Sequence, residues 1–246
     1  MIKINKIRNY LFEIELVSNP ELDNPFWDIE IKATFLHKEK NIELTVYGFY
    51  DGYNCNNEHV WKIRWRPVEP GLWNCKIVSY PDDELINYET LLNINADETD
   101  KKGTLCINHK SKWKFCLETG EPCYLLGDTM YNLFGAYYCG VDIHQILRKR
   151  RSQGVNYLRT RIHVSPFHQP IQNSWQGKSC WPWGGSAQWP DFKRFNLDYF
   201  RHVDEAMILL SDMDYGIELI LEAWMMEFPF NDRAKFIPEY EELWIR

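Results

Sequence analysis

No stretch of the 246-residue sequence is long and apolar enough for a signal-peptide core or a membrane span. The N-terminus, MIKINKIRNYLFEIEL, alternates apolar with charged residues instead. That pattern predicts a cytoplasmic protein without a membrane partner. Basic excess is also missing: the net charge is -7, and a nucleic-acid partner needs a cationic face. The one basic run, Arg148 to Arg151, suits the C-terminal end of a helix, where cations complement the dipole. The 7 cysteines are odd in number and have no close C-x-x-C spacing. They therefore exclude a fully paired framework and give no zinc signature, and buried thiols are expected. Nothing in the sequence implies a cofactor.

Aromatic residues are plentiful, at 15 % with 11 Trp and 14 Tyr. Such side chains fill cores, and where they sit in Gly- and Pro-broken loops they also offer flat faces to the C–H surfaces of sugars. Period-two patterning dominates the first part of the chain, over Lys3 to Leu16, Trp27 to Phe35, Ile42 to Phe49, Val60 to Arg66 and Trp73 to Tyr80. Short alternating runs separated by turn residues predict an immunoglobulin-like antiparallel β-sandwich over residues 1–100. Trp61 to Arg66 alternates three apolar residues with three cations, one face core and one face wet. Pro67 to Leu72 then turns the chain, and Trp73 is expected to begin the hairpin partner. Glu13, Glu15, Glu30 and Glu43 fall on solvent-facing strand positions, so the sandwich carries no active-site constellation. Exposed aromatics such as Tyr50 or Tyr53 give it a possible glycan-binding role, the alternative being simple packing on the rest of the chain.

Asn95 to Gly103 is polar and reads as a linker. Two short extended runs, Thr104 to Ile107 and Trp113 to Leu117, suggest a hairpin. The second domain, residues 101–246, is organised around PCYLLGDTMYNLF, Pro122 to Phe134. Here an apolar strand, Cys123 to Leu126, delivers Asp128 to its carboxyl end, the place where open α/β sheets and barrels keep their binding chemistry. A helix over Val141 to Gln153 stops at Gly154, a strand over Val155 to Val164 comes next, and a second helix over Phe195 to Tyr215 is capped by Asn196 and closed by Gly216. A third strand, Ile217 to Leu221, ends at Glu222 and Trp224, and a last helix begins at Pro238. Strands that alternate with helices and end in polar residues predict the start of a (β/α)8 TIM barrel, about half of the roughly 250 residues that a complete one uses.

Arg161, His163 and His168 converge on the end of the second strand. Without helical i, i+4 spacing or a third ligand they suit hydrogen bonding to hydroxyls better than metal binding. Between Pro166 and Pro190 lies a long insertion with Trp175, Trp181, Trp183 and Trp189. Loops of that length are usually functional when they are ordered, and these rings are expected to form the wall or lid of a pocket. The candidate substrate-binding residues are therefore Asp128, Arg161, His163, Trp181, Trp183, Glu222 and Trp224. Asp128 and Glu222, at strands one and three, also admit a reading as a catalytic carboxylate pair.

NPF, GFYDG, RWRP and PGLW, within Leu16 to Asn95, together resemble the N-terminal sandwich domain of unknown function that precedes certain bacterial glycosidase-like barrels. LGDTMYNLF, RKRRSQGVNYLRTRIHV, WPWGG, FNLDYFRHVDEAMILL and GIELIL, across Gly103 to Arg246, look like the apiosidase-like family of glycoside hydrolase barrels. That resemblance implies acid/base hydrolysis of plant-type oligosaccharides, with Asp128 a ligand for sugar hydroxyls and Glu222 a pocket-wall residue. Retaining glycosidases place two carboxyl groups roughly 5 Å apart across the scissile bond. In the family these stand at strands four and seven, so both lie beyond Arg246 and the chain reads as an inactive N-terminal fragment. A non-catalytic carbohydrate-binding protein is the alternative.

Overall fold

The computed structural model of the chain describes residues 2–8, 11–84, 86–95, 104–164, 180–186, 188–222 and 229–246. It divides into two compact units, Met1–Cys123 together with Arg246, and Tyr124–Ile245. The expected linker lies outside the described residues except at Asn95.

The first unit is built on eight strands: β1 (Ile2–Arg8), β2 (Leu11–Ser18), β3 (Glu30–His37), β4 (Glu43–Tyr47), β5 (Phe49–Tyr53), β6 (His59–Trp65), β7 (Gly71–Tyr80) and β8 (Tyr88–Ile94). They form two antiparallel sheets, ordered β1-β2-β6-β5 and β4-β3-β7-β8. Alternation puts one side of each central strand inside. Ile14 and Leu16, Ile31, Ala33 and Phe35, Trp61, Ile63 and Trp65, and Trp73, Cys75 and Ile77 are all at most 2 % exposed. The two sheets meet where Phe35 stacks on Trp65 at 4.1 Å between ring centroids, with Trp73 edge-on to Trp65 at 5.2 Å. This is a β-sandwich. On the outer face of the first sheet Glu13 accepts from both Lys62 (3.3 Å) and Arg64 (3.0 Å), and Lys62 also reaches Asp51 at 2.8 Å.

One pairing differs from expectation. β6 and β7 are not hairpin partners: β6 lies between β2 and β5, while β7 lies between β3 and β8. Residues 66–70 carry the chain from one sheet to the other, and Trp65 and Trp73 then meet across the shared interior. The unit also contains a small antiparallel sheet of β9 (Leu105–Ile107), β10 (Phe115–Leu117) and β11 (Pro122–Cys123), which includes the expected hairpin.

The second unit holds three parallel strands, β12 (Gly127–Thr129), β13 (Tyr157–Arg161) and β16 (Gly216–Ile220), adjacent in chain order. Between β12 and β13 run α1 (Leu133–Tyr138) and α2 (Ile143–Ser152). Between β13 and β16 run the hairpin β14 (Trp183–Gly185) with β15 (Pro190–Phe195) and the helix α3 (Leu197–Asp212). Helix α4 (Pro238–Ile245) comes last. Both longer helices start on the residue types that cap them. Asp142 accepts from the backbone N–H groups of His144 and Gln145, and Asn196 accepts from that of Tyr199. Their buried faces, with Ile143, Leu147, Val203, Ala206 and Leu210, pack with Leu133, Phe134 and Leu158 into one core.

Three expectations are corrected here. The first strand does not span Cys123 to Leu126: Cys123 belongs to β11, Tyr124 and Leu126 are exposed, and β12 begins only at Gly127. Phe195 closes β15 rather than opening α3. Gly216 does not end α3 either; Asp214 takes the left-handed turn (φ 59°), and Gly216 opens β16. A Cβ at Gly216 would stand 2.8 Å from the Tyr157 ring, so close strand packing requires the glycine.

Candidate functional site

The parallel register decides which way the strand-borne residues face. Gly127 is level with Tyr157 and Gly216, Asp128 with Leu158 and Ile217, and Thr129 with Arg159 and Glu218. Side chains alternate along a strand, so level residues share a side of the sheet. Asp128 thus lies on the side of Leu158, which is fully buried in the core formed with the helices. There it meets α2: its Oδ2 accepts from Arg150 Nε at 2.9 Å, while its Oδ1 accepts from the Thr129 backbone N–H at 2.8 Å. The basic run at the end of α2 therefore supplies a partner for Asp128. On the opposite side Thr129, Arg159 and Glu218 form a polar row, with Arg159 and Glu218 paired at 2.9 Å.

The carboxyl end of β13 gathers a second group. Arg161 is 4 % exposed; its backbone N–H donates to the Tyr131 carbonyl at 3.3 Å, and its guanidinium sits 4.5 Å from the centre of the Tyr131 ring. Cation–π contacts of this kind hold a guanidinium in place while leaving its charge intact. His163, fully buried, stands edge-on to Phe230 at 5.1 Å. Beside Tyr131, Asn132 leads into α1 without capping it, and its Oδ1 is buried with no hydrogen-bond partner among the described residues. Sequence pattern does not single out Tyr131 and Asn132, although they stand in the same MYNLF segment as the strand end. His168 and Trp175 lie outside the described residues, as does Trp224.

Trp181 and Trp183 are expected as pocket wall, but the structure packs them inside. Trp181 is 4 % and Trp183 1 % exposed. Around Trp183 stand Trp244 at 4.5 Å, Trp181 at 5.1 Å, Phe192 at 5.4 Å and Phe236 at 5.6 Å. The indole is thereby surrounded by four other rings. Of the tryptophans described in this insertion, Trp189 is the one that is open to solvent.

Glu222, two residues past the end of β16, belongs to a third group. A hydrogen bond with Glu241 of α4, together with burial and the negative charge of Glu241, holds the Glu222 carboxyl above the usual range. The same hydrogen bond and the neighbouring Arg233 hold Glu241 below it, and Arg233 Nη1 donates to Glu241 Oε2. The two opposite shifts make Glu222 the more readily protonated carboxyl of the two. Glu241 and Arg233 are not legible as site residues in the sequence, because their pairing depends on how α4 packs. The candidates thus fall into separate groups: Asp128 with Arg150, Arg161 and His163 at the end of β13, Trp181 with Trp183 in the core, and Glu222 with Glu241. Among the described residues no group of three or more His, Cys, Asp and Glu is placed to hold a metal ion, and no helix is long and apolar enough to cross a membrane.

Comparison with known proteins adds two family matches. Residues 8–80 match a domain of unknown function (DUF5060), and residues 109–241 match the apiosidase-like catalytic domain. No curated protein matches. Among solved structures, the chain resembles a protein from Bacteroides vulgatus ATCC 8482 assigned provisionally to the glycoside hydrolases. The identity is 21 %, the TM-score is 0.65, and the match covers 86 % of this chain and 40 % of that one. A β-glucuronidase from Parabacteroides merdae is also matched, at 12 % identity and a TM-score of 0.20, over 65 % of this chain and 20 % of that one.

Proposed function

The chain belongs to the apiosidase-like family, and on that premise we propose that it supplies the accessory sandwich and the first barrel strands of a glycoside hydrolase acting on plant-type oligosaccharides. The observation that carries this reading is the run of three parallel strands, β12, β13 and β16, adjacent in chain order with helices between them. That is how a (β/α)8 barrel begins. The chain spans 40 % of the length of the Bacteroides vulgatus protein it resembles, which leaves room for further strands. In this reading the acid/base and the nucleophile stand on later strands. Arg161 and His163 hold the floor of the saccharide site, at the strand end where barrels bind their ligands. Glu222, with its carboxyl held above the ordinary value beside Glu241, stands at the end of the third strand. Asp128 supports the site through Arg150.

The test compares the 246-residue chain with the product of its complete reading frame. On a panel of aryl glycosides the longer protein is expected to turn over and the 246-residue chain to show none. Turnover by the short chain overturns the assignment of the catalytic pair to later strands. A full-length product that binds oligosaccharides without cleaving any overturns the glycosidase reading in favour of a binding protein.

A further inference from the structure

Two of the buried thiols touch. Cys139 and Cys180, each 8 % exposed, belong to the same core cluster of the second unit, and their side chains are in hydrogen-bond contact. The sequence separates them widely, so the fold and not local chain geometry brings the two sulfurs together. Tyr199, fully buried on α3, is close to both, and its hydroxyl donates to the Ile162 carbonyl.

Each sulfur is carried by backbone that is held independently of the other. Cys139 ends α1, where its N–H donates to the Gly135 carbonyl at 3.1 Å, and Gly140 then takes a left-handed turn (φ 81°). Cys180 precedes Trp181, whose carbonyl accepts from Asn196 Nδ2 at 3.1 Å, and the Pro182 carbonyl accepts from the Asn196 N–H at 2.9 Å. Asn196 therefore caps α3 and also ties the chain that follows Cys180 to that cap. Thiols in contact have side chains that converge, which a disulfide requires; cysteines whose side chains point apart cannot be bridged without backbone movement. The register also sets Cys106 of β9 level with Cys116 of β10. There Cys106 Sγ turns to the Thr104 carbonyl at 3.6 Å, and a bond would close only a short hairpin.

We propose that Cys139 and Cys180 are a disulfide-forming pair, which fastens the chain entering β14 to the end of α1 when the protein folds in the presence of a disulfide oxidant such as oxidised glutathione. One cysteine thiolate attacks the oxidant, forming a mixed disulfide and releasing one glutathione thiol. The second thiolate attacks the protein sulfur of that mixed disulfide, forming the Cys139–Cys180 bond and releasing the second glutathione. The protein gives up two thiol protons and two electrons, and the oxidant takes them up as two thiols. Burial pushes the Cys180 thiol up to about 12, so the folded protein holds little thiolate at neutral pH and the exchange belongs to folding, before the core closes. Both residues are reduced in this structure, the form that a reducing compartment maintains. The bond would enclose residues 140–179, and cross-links that close long loops restrict the unfolded chain most.

Refolding the 246-residue chain from urea in mixed reduced and oxidised glutathione tests this, followed by N-ethylmaleimide alkylation in denaturant and non-reducing peptide mapping. A Cys139–Cys180 linked peptide is expected as the main cross-link, with Cys75 recovered as the alkylated thiol. The unfolding midpoint should stand about 5 °C or more above that of the chain refolded in reductant. The same oxidation carried out in urea, where no fold selects a partner, should give that link as one minor product among several. Cys139→Ala should abolish the midpoint rise and leave Cys180 as a thiol or a glutathione adduct. Recovery of Cys139 and Cys180 as alkylated thiols after oxidative refolding overturns the proposal. A Cys106–Cys116 link formed in place of it does the same, as does an equal yield of the Cys139–Cys180 link in urea, which makes the pairing a matter of chain statistics.

Discussion

Replacing Trp183 separates a core ring from a sugar platform. Its indole is 1 % exposed and has four aromatic neighbours within 5.6 Å. Truncating a buried Trp to Ala costs about 3–5 kcal/mol through lost transfer energy and the cavity left behind. Each favourable ring pair adds about 0.5–1.5 kcal/mol beyond area burial, which places Trp183→Ala at about 4–5 kcal/mol. For a chain of this length each kcal/mol moves the midpoint by about 2–4 °C, so a fall on the order of 8 °C or more is expected. Trp183→Phe keeps a ring in the cluster and sacrifices no hydrogen bond, since Nε1 has no partner among the described residues. It should cost about 1–3 kcal/mol, the usual range for a shape change in a packed interior. Two compact units need not unfold in one step, so near-UV circular dichroism should be followed together with limited proteolysis around β14 and β15. A midpoint unmoved by Trp183→Ala, accompanied by loss of oligosaccharide affinity, refutes the core assignment and restores Trp183 to a pocket wall.

Two further outcomes rest on the titratable groups. Glu222 is held above the ordinary carboxylate value, so the stability it contributes is complete below that value and is lost as pH rises through the raised one. Glu241 is held below its ordinary value, so its contribution appears above that value and is lost on acidification. Denaturation midpoints measured between about pH 4 and pH 8, where carboxylates finish ionising, should fall with pH on the Glu222 limb. Glu222→Gln should flatten that limb, and an identical limb in the variant rejects the raised Glu222 carboxyl. Among the thiols, burial pushes Cys75 and Cys180 up to about 12, whereas Cys55 is exposed. Because the thiolate is the nucleophile, iodoacetamide in neutral buffer should label Cys55 first and reach Cys75 and Cys180 only in denaturant. Peptide mapping by mass spectrometry reads this directly, and equal labelling of Cys75 and Cys55 in the folded protein contradicts the buried placement.

Much of the sandwich is legible in the alternation of Trp61 to Arg66 and Trp73 to Tyr80, because period two fixes which side chains are inside before any partner is known. Partner choice is a different matter. Whether β7 pairs with β6 or crosses to the other sheet depends on where Trp65 and Trp73 meet in the interior, a contact that local pattern does not encode. The helices α2 and α3 are readable for a local reason, since Asp142 and Asn196 cap them with their own side chains. Cys123 to Leu126 misleads because a short apolar run has the same look buried or exposed; Tyr124 is 82 % exposed. The tryptophans of the WPWGG segment mislead in the other direction: glycine and proline mark a loop, yet the hairpin they build turns Trp183 inward.

The placement of Asp128 shows why a strand-end carboxylate is a weak functional signal until register is known. Shifting a strand by one residue exchanges its two faces. A strand ending at Leu126 would carry Asp128 past the sheet into the loops, where ligands bind. With β12 beginning at Gly127, Asp128 becomes level with Leu158, turns toward the helices and finds Arg150. The same register sends Thr129, Arg159 and Glu218 to the other side, three polar residues in a row on adjacent parallel strands. The polar character of Gly127-Asp128-Thr129 is therefore divided between the two faces of the sheet, Thr129 joining Arg159 and Glu218 on one and Asp128 fastening the strand to α2 on the other.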